Sequence, residues 1–224
     1  MDTSNLQSFE DDVLKHLHET VENPVCYDLG CGVKPMDGFI GLDYLAPLSE
    51  NIRRADLYAA PWSFEQPVTY FDINSGEERT ETALVRIPDE SVDYYISSHF
   101  VEHVPDWDLH FREVYRTLKP GGFYKLVAPY FTSVRAYQDP DHKQFVSEHR
   151  FMYLDASWRA MNNLSHYGAQ VNFSIQGMFF LWHPDFAEET GISDEARRYA
   201  KEHYFNVVED IAIVLKKEPL PEKG

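Results

Sequence analysis

The feature that most narrows the fold of this chain is a short apolar run that ends beside an acid and breaks directly into glycine: Val25-Cys26-Tyr27-Asp28-Leu29, then Gly30-Cys31-Gly32. Pro24 precedes it, so the run is too short and too sharply bounded for a helix and reads as a buried strand with a tight turn behind it. Phe39-Ile40-Gly41-Leu42-Asp43 is a second strand of the same kind, again finishing on an acid. Arg54-Ala55-Asp56-Leu57 gives a third strand end, and Val92 to Ser97 a fourth strand. Phe100 to Leu118 reads as a helix closed by Lys119-Pro120-Gly121-Gly122, with a fifth strand from Phe123 to Pro129. Strands separated by helical text predict an α/β sheet with helices on both faces. Such an open sheet takes its ligand beyond the carboxyl ends of its strands, which singles out Asp28, Gly30, Gly32, Asp43, Asp56, Ser97, Ser98 and His99.

Leu6, Phe9, Val13, Leu14 and Leu17 recur at helical spacing behind the cap candidates Thr3 and Ser4, predicting an amphipathic first helix. Residues 68–87 alternate about Asn74-Ser75-Gly76 and predict a hairpin inserted between the third and fourth strands. Residues 130–158 are crowded with aromatics, histidines and acids, too polar for core and too aromatic for a linker, which predicts a functional loop. Ser193 caps a helix running to Tyr204, Asp210 to Lys216 is an apolar terminal strand, and the tail after Pro219 is expected to fray. With 224 residues, 43% of them hydrophobic, one large domain over 1–224 is expected. Asp plus Glu number 37 against 20 Lys plus Arg, a formal charge of −17 that repels phosphate backbones and anionic lipid. Neither nucleic acid nor a membrane is expected as a partner, and no apolar run approaches the ~20 residues of a membrane helix. Cys26 and Cys31 lack the companion pair of a zinc site and no secretory leader is read before them, so reduced thiols in a soluble, cytoplasmic protein are expected.

A glycine-rich turn after the first strand lets a backbone approach its ligand closely, and an acid ending the second strand can accept both hydroxyls of a ribose. A dinucleotide fingerprint would read G-x-G-x-x-G and open a helix toward a pyrophosphate. Here Gly30-Cys31-Gly32-Val33-Lys34-Pro35 has no third glycine, and Asp28 supplies a carboxylate that repels pyrophosphate and attracts an ammonium. The run Asp28 to Gly32 resembles the first motif of class I S-adenosylmethionine-dependent methyltransferases. Asp43, Asp56-Leu57, the segment Ser97 to His103 and the run Glu113 to Gly122 are similar, in order and spacing, to later motifs of that family, and look most like its type 11 branch. The resemblance covers about residues 25–130. It implies a Rossmann-like three-layer sandwich with a seven-stranded, mostly parallel sheet and an antiparallel last strand at 210–216. It also implies S-adenosylmethionine as cofactor, held by Asp28, Gly30, Cys31, Gly32, Asp43, Tyr44, Asp56, Leu57 and Ser98, with Asp43 on the ribose and Asp56-Leu57 on the adenine.

One departure stands out. Only eight residues, Cys31 to Gly38, connect the first two strands, whereas a parallel crossover takes a dozen or more and contains a helix. Lys34 is then the candidate counter-charge for the methionine carboxylate, with a solvated surface lysine as the plainer reading. His99 and His103 share a helical face and would suit a metal pair, but with no third ligand in view a capped or core-facing histidine is preferred, Glu102 is read as structural, and no metal is assigned. Asp139-Pro140-Asp141-His142 with His149-Arg150-Phe151 resembles a loop that covers the active site in the same branch. Its first reading is a loop fixed by hydrogen bonds, its second substrate contact, its third a metal site of Asp139, His142 and His149. A sulfonium methyl is already activated, so the protein aligns a nucleophile, excludes water and removes a proton where the nucleophile needs it. Histidine is the natural base near neutral pH, which selects His99 past the fourth strand and His142 on the loop. Tyr130, Tyr137, Asp139 and His149 are the substrate-contact candidates, and the rings of Tyr130, Phe131, Tyr137, Phe145 and Phe151 suit a partly apolar or planar molecule or else pack the loop onto the sheet. The resulting expectation is methyl transfer to a small-molecule acceptor through oxygen, nitrogen or carbon. The alternatives are an NAD-dependent oxidoreductase, which the missing third glycine and Asp28 oppose, and a module that holds the cofactor without turnover.

Overall fold

Short β-branched and aromatic runs in this chain become strands, and longer amphipathic runs become helices. The computed structural model describes residues 3–46, 48–167, 170–187 and 192–221. The strands are β1 (Cys26–Leu29), β2 (Ile40–Asp43), β3 (Ile52–Arg54), β4 (Ser63–Asp72), β5 (Glu77–Arg86), β6 (Val92–Ser98), β7 (Leu118–Pro129), β8 (Phe173–Trp182) and β9 (Val208–Lys217). The helices are α1 (Thr3–Thr20), α2 (Trp107–Thr117), α3 (Arg135–Gln138), α4 (Glu148–Met152), α5 (Ala156–Met161), α6 (Pro184–Ala187) and α7 (Asp194–His203). Seven strands form one sheet in the order β3-β2-β1-β6-β7-β9-β8, and β4 with β5 makes a separate two-stranded hairpin. β1 is parallel to β2 and β6, β3 to β2, and β7 to β6, while β9 is antiparallel to both of its neighbours. This is the expected three-layer α/β architecture with its antiparallel last strand. The strand order reverses between β1 and β6, which opens a crevice beyond their carboxyl ends.

Alternation along the strands sorts the core onto two faces. Tyr27, Leu29, Tyr95, Tyr124 and Leu126 join the main cluster, with Phe111 and Val114 of α2, Phe151 of α4, and Trp62 and Phe64 at the base of the hairpin. Cys26, Tyr94 and Ile96 belong to the other face, where Val13, Leu14 and Leu17 of α1 and Met36 of the β1–β2 connection pack against them. Leu6 carries the apolar stripe of α1 onto Ala212 of β9 and Phe179 of β8. A single helix thus spans that face from β8 to β1. The side chains of Thr3, Ser4 and Phe9 lie outside the described residues.

The helix expected over 100–118 divides into a 3-10 turn at Val101–His103 and α2, which begins at Trp107. Pro105 is the cause. It holds Val104 extended, at φ −65° and ψ 127°, and Asp106 then caps α2 by accepting a hydrogen bond from Leu109 N at 2.9 Å. The third strand ends at Arg54, so Asp56 lies in the turn beyond it. The hairpin runs from Ser63 to Arg86, longer than expected, and turns at residues 73–76, where Gly76 has φ 73°. β8 had no counterpart among the strands read residue by residue, because its bulge between Ile175 and Gly177 interrupts the two-residue alternation. No helix forms between β1 and β2. α7 is capped as expected, Ser193 Oγ accepting from Ala196 N at 3.2 Å, and both cysteines are free thiols. Among the described residues no helix is long and apolar enough to cross a membrane. Of the tail beyond Pro219, residues 222–224 lie outside the described residues.

Candidate active site

The turn after β1 is built from glycine by necessity. Gly30 and Gly32 have φ of 66° and 60°, and a Cβ at Gly30 would stand 2.2 Å from Cδ2 of Phe100. Gly30 N donates to Leu42 O at 2.8 Å, which ties the turn to β2. Asp43, ending β2, accepts from Gly32 N at 3.0 Å on Oδ2 and from Leu45 N and Ala46 N at 2.8 and 3.1 Å on Oδ1. A carboxylate offers about four acceptor positions, so Asp43 locks two turns and keeps capacity for a ligand hydroxyl. In front of it lies a cleft of about 390 Å³ lined by Gly30, Asp43, Tyr44, Asp56, Leu57 and His99. Tyr58 and Phe100 form an aromatic wall of this cleft, their rings stacked at 6.1 Å between centroids and 11° between planes.

Asp28 and Ser98 line a second depression, of about 400 Å³, together with Lys34, Met36, Ile96 and Lys125. Asp28 is buried, accepts from Met36 N at 2.9 Å, and has its pKa pushed up to about 6 by desolvation, with the Met36 hydrogen bond opposing and the Asp43 charge adding. Cys31 lines neither space. Its Sγ packs against Gly41, where a Cβ would be only 2.3 Å away, and burial together with the Asp28 and Asp43 charges raises the thiol to about 12. The cofactor candidates therefore divide about the Gly30–Gly32 turn, five of them in the larger-walled cleft and two on the face that α1 covers.

Residues 44–126 match the family model for the methyltransferase domain. Over that stretch the chain is similar to a methyltransferase domain. Its fold is shared with a solved S-adenosylmethionine-dependent methyltransferase from Archaeoglobus fulgidus, 17% identical over 94% of both chains with a TM-score of 0.50. A geranyl diphosphate C-methyltransferase from Streptomyces coelicolor A3(2) aligns at 12% identity over 94% of this chain and 78% of its own, with a TM-score of 0.48. An S-adenosylmethionine-dependent methyltransferase from Mesorhizobium loti aligns at 15% identity over 91% and 96%, with a TM-score of 0.46. No curated protein matches the sequence.

Of the two histidines expected as bases, His99 lines the cleft and His142 does not. His99 sits past β6 with φ 53°, its backbone N–H bonded to Val127 O at 2.9 Å. Its ring stands between acids, Nδ1 3.4 Å from Glu102 Oε1 and Nε2 4.0 Å from Asp210 Oδ2. Glu102 raises the His99 pKa, and the Asp210 charge adds to this against burial and Arg135. His142 lies behind the cleft wall, its ring edge-on to His103 at 4.7 Å. Of the substrate candidates, Tyr130 is buried and donates to Glu148 Oε2 at 2.7 Å, and Glu148 in turn pairs with Lys201. Tyr130 and His149 line a third cleft, of about 300 Å³, with Phe131 and Phe145. Tyr137 is exposed and stacks on Phe145 at 4.7 Å, and Asp139 accepts from Asp141 N at 2.8 Å. Sequence reasoning overlooked Tyr58, Phe100, His103 and Asp141 as lining groups. For Phe100 a signal existed, since the glycine two residues past Asp28 makes room for something and the segment after β6 supplies it.

Proposed function

We propose that this chain transfers the methyl group of S-adenosylmethionine to a small-molecule acceptor through oxygen, nitrogen or carbon. The observation that carries the reading is the cleft at the switch point, where a glycine turn closed by Phe100 meets two strand-end acids in about 390 Å³. The residues fit the cofactor: Asp43 retains acceptor capacity for the ribose, Asp56, Leu57 and the Tyr58–Phe100 wall suit the adenine, and Asp28 with Lys34 offers opposite charges for the amino-acid end. Cys31 supports the turn through Gly41, and Ser98 and Tyr44 border the two spaces. When bound, the cofactor supplies an electrophilic methyl on sulfonium sulfur. The protein then orients the acceptor, excludes water and takes up a proton.

His99 is the proposed base, with His142 behind it. Asp210 joins their end of the cleft to residues 130–158, because its Oδ2 accepts from Arg135 Nη1 of α3 at 2.7 Å and also faces His99. That contact supports acceptor entry beside α3, with residues 130–158 as lid or substrate loop. The exposed Tyr137–Phe145 stack, Asp139, and the Tyr130–His149 cleft then contribute contacts suited to a planar or partly apolar molecule. Calorimetric titration with S-adenosylmethionine, S-adenosylhomocysteine and NAD tests the reading. Binding of the first two without NAD is expected, followed by methylated product from an acceptor screen. NAD binding alone, or no binding of any of the three, overturns it.

A further inference from the structure

Glu102 is 1% exposed and neither of its carboxylate oxygens has a hydrogen-bond partner. A buried carboxylate is strongly unfavourable unless it is paired or coordinates a cation. His99 Nδ1, 3.4 Å from Oε1, is its ion-pair neighbour when protonated, and it leaves both oxygens without a hydrogen bond. Two more donors converge on the same point: one atom each from Glu102, His103 and His142 lie within 4.8 Å of one another. We infer that Glu102, His103 and His142 form a site for a divalent first-row transition cation at the end of the methyl-donor cleft.

The local chemistry is that of a ligand set. His142 Nδ1 is 3.0 Å from the backbone carbonyl of Ala136, so that nitrogen carries the proton and Nε2 keeps a free lone pair. A backbone acceptor behind a ligating imidazole is the usual way its tautomer is set. The loop bearing His142 is pinned to the residue that supplies the carboxylate, because Lys143 N and Gln144 N both donate to Glu102 O, at 2.7 and 2.9 Å. Gln144 Nε2 adds a bond to Val104 O at 2.8 Å. Three ligands at the ~2.0–2.2 Å typical of zinc stand roughly 3.4 Å apart, so modest side-chain rotation closes the site. Two imidazoles and one carboxylate favour zinc or a neighbouring transition ion over magnesium and calcium, which take oxygen ligands. Three protein ligands also leave a coordination position open, as catalytic zinc sites do.

His103 lines the donor cleft beside His99 and Asp141, which puts that open position next to the proposed methyl transfer. Resting on the function proposed above, the site takes an acceptor bearing a hydroxyl oxygen. The cation lowers the pKa of that hydroxyl, and the oxygen bonds to the methyl carbon as the carbon–sulfur bond breaks. Sulfur keeps the bonding pair and becomes a neutral thioether, and the hydroxyl proton leaves to solvent water.

The test uses the full chain stripped with a chelator and titrated with Zn²⁺, and with Co²⁺ for its visible absorption. One cation per chain is expected, and Glu102→Gln, His103→Ala and His142→Asn should each weaken binding at least tenfold, while His18→Ala on α1 leaves it unchanged. Melting curves of each variant show whether a loss reflects unfolding. Catechol, added as a probe oxygen ligand, should shift the Co²⁺ bands. Substoichiometric binding by the wild-type chain, folded variants that bind as tightly as wild type, or a spectrum indifferent to catechol overturns the proposal. S-adenosylmethionine titrated into the same samples separates the two readings: a chain that binds the cofactor but fails to bind Zn²⁺ loses only the metal site, and one that binds Zn²⁺ but fails to bind the cofactor loses only the methyl-transfer reading.

Discussion

The two faces of the sheet are built unequally. On one, Trp62, Tyr95, Tyr124, Phe111, Phe151 and Phe173 are wholly buried under α2, α4 and the hairpin base. On the other, α1 is the helix that packs on the strands, through Leu6, Val13, Leu14 and Leu17, and the connection after β1 contributes Met36 in place of a helix. The difference shows where stability and ligand chemistry are separated. The thick face is sealed by large rings, whereas the thin face keeps a depression lined by the buried Asp28 and by Lys34. A missing crossover helix removes amide donors but leaves room for a charged pair to take their place.

The largest effect that would break this contrast is in stability. Phe111→Ala is expected to lower unfolding free energy by about 3–5 kcal/mol, and Val13→Ala by about 1 kcal/mol, in chemical denaturation; equal losses would mean that the faces share the load. Gly30→Ala comes next. Its φ and the Phe100 contact forbid a side chain, so cofactor affinity should fall at least a hundredfold, while Gly32→Ala, with nothing within 4 Å of its added Cβ, should fall far less. Asp43→Ala removes an acceptor for three backbone N–H groups as well as the proposed ribose contact, and about a 10- to 100-fold loss by calorimetry is expected. The thin face responds to pH. Asp28 titrates at about 6, so its attraction for an ammonium is present above that pH and lost as the carboxyl gains a proton below it. Cofactor affinity should weaken by up to about tenfold per pH unit on acidification below 6, and Asp28→Asn should abolish this dependence. The smallest effect belongs to Lys34→Ala, a loss of about two- to fivefold that fades at high salt.

Much of the frame was legible because its signals are local. The β1 run, the turn of the β4–β5 hairpin, the Ser193 cap and the apolar β9 each sit within a few residues, and each formed where expected. Gly30, Asp43, Asp56 and Leu57 were legible as neighbours because parallel strands bring their ends to one edge. Two errors have equally local causes. The signal of Pro105 and Asp106 was overridden by the apolar text on either side, which merged a 3-10 turn with α2. β8 was missed because the extra residue Gln176 shifts its register against β9.

Hydrophobic period, turn glycines and caps determined, from the sequence by itself, that this chain makes an open α/β sheet with a ligand edge. Their physics acts over a few residues and needs no partner. The tertiary structure alone decided that Cys31 supports Gly41, that Asp28 and Asp43 face different spaces, and that His142 comes to rest beside Glu102 and His103. Those outcomes depend on how the chain returns across space, here through the Lys143 and Gln144 amides bonding to Glu102 O, and no spacing along the chain encodes such a return.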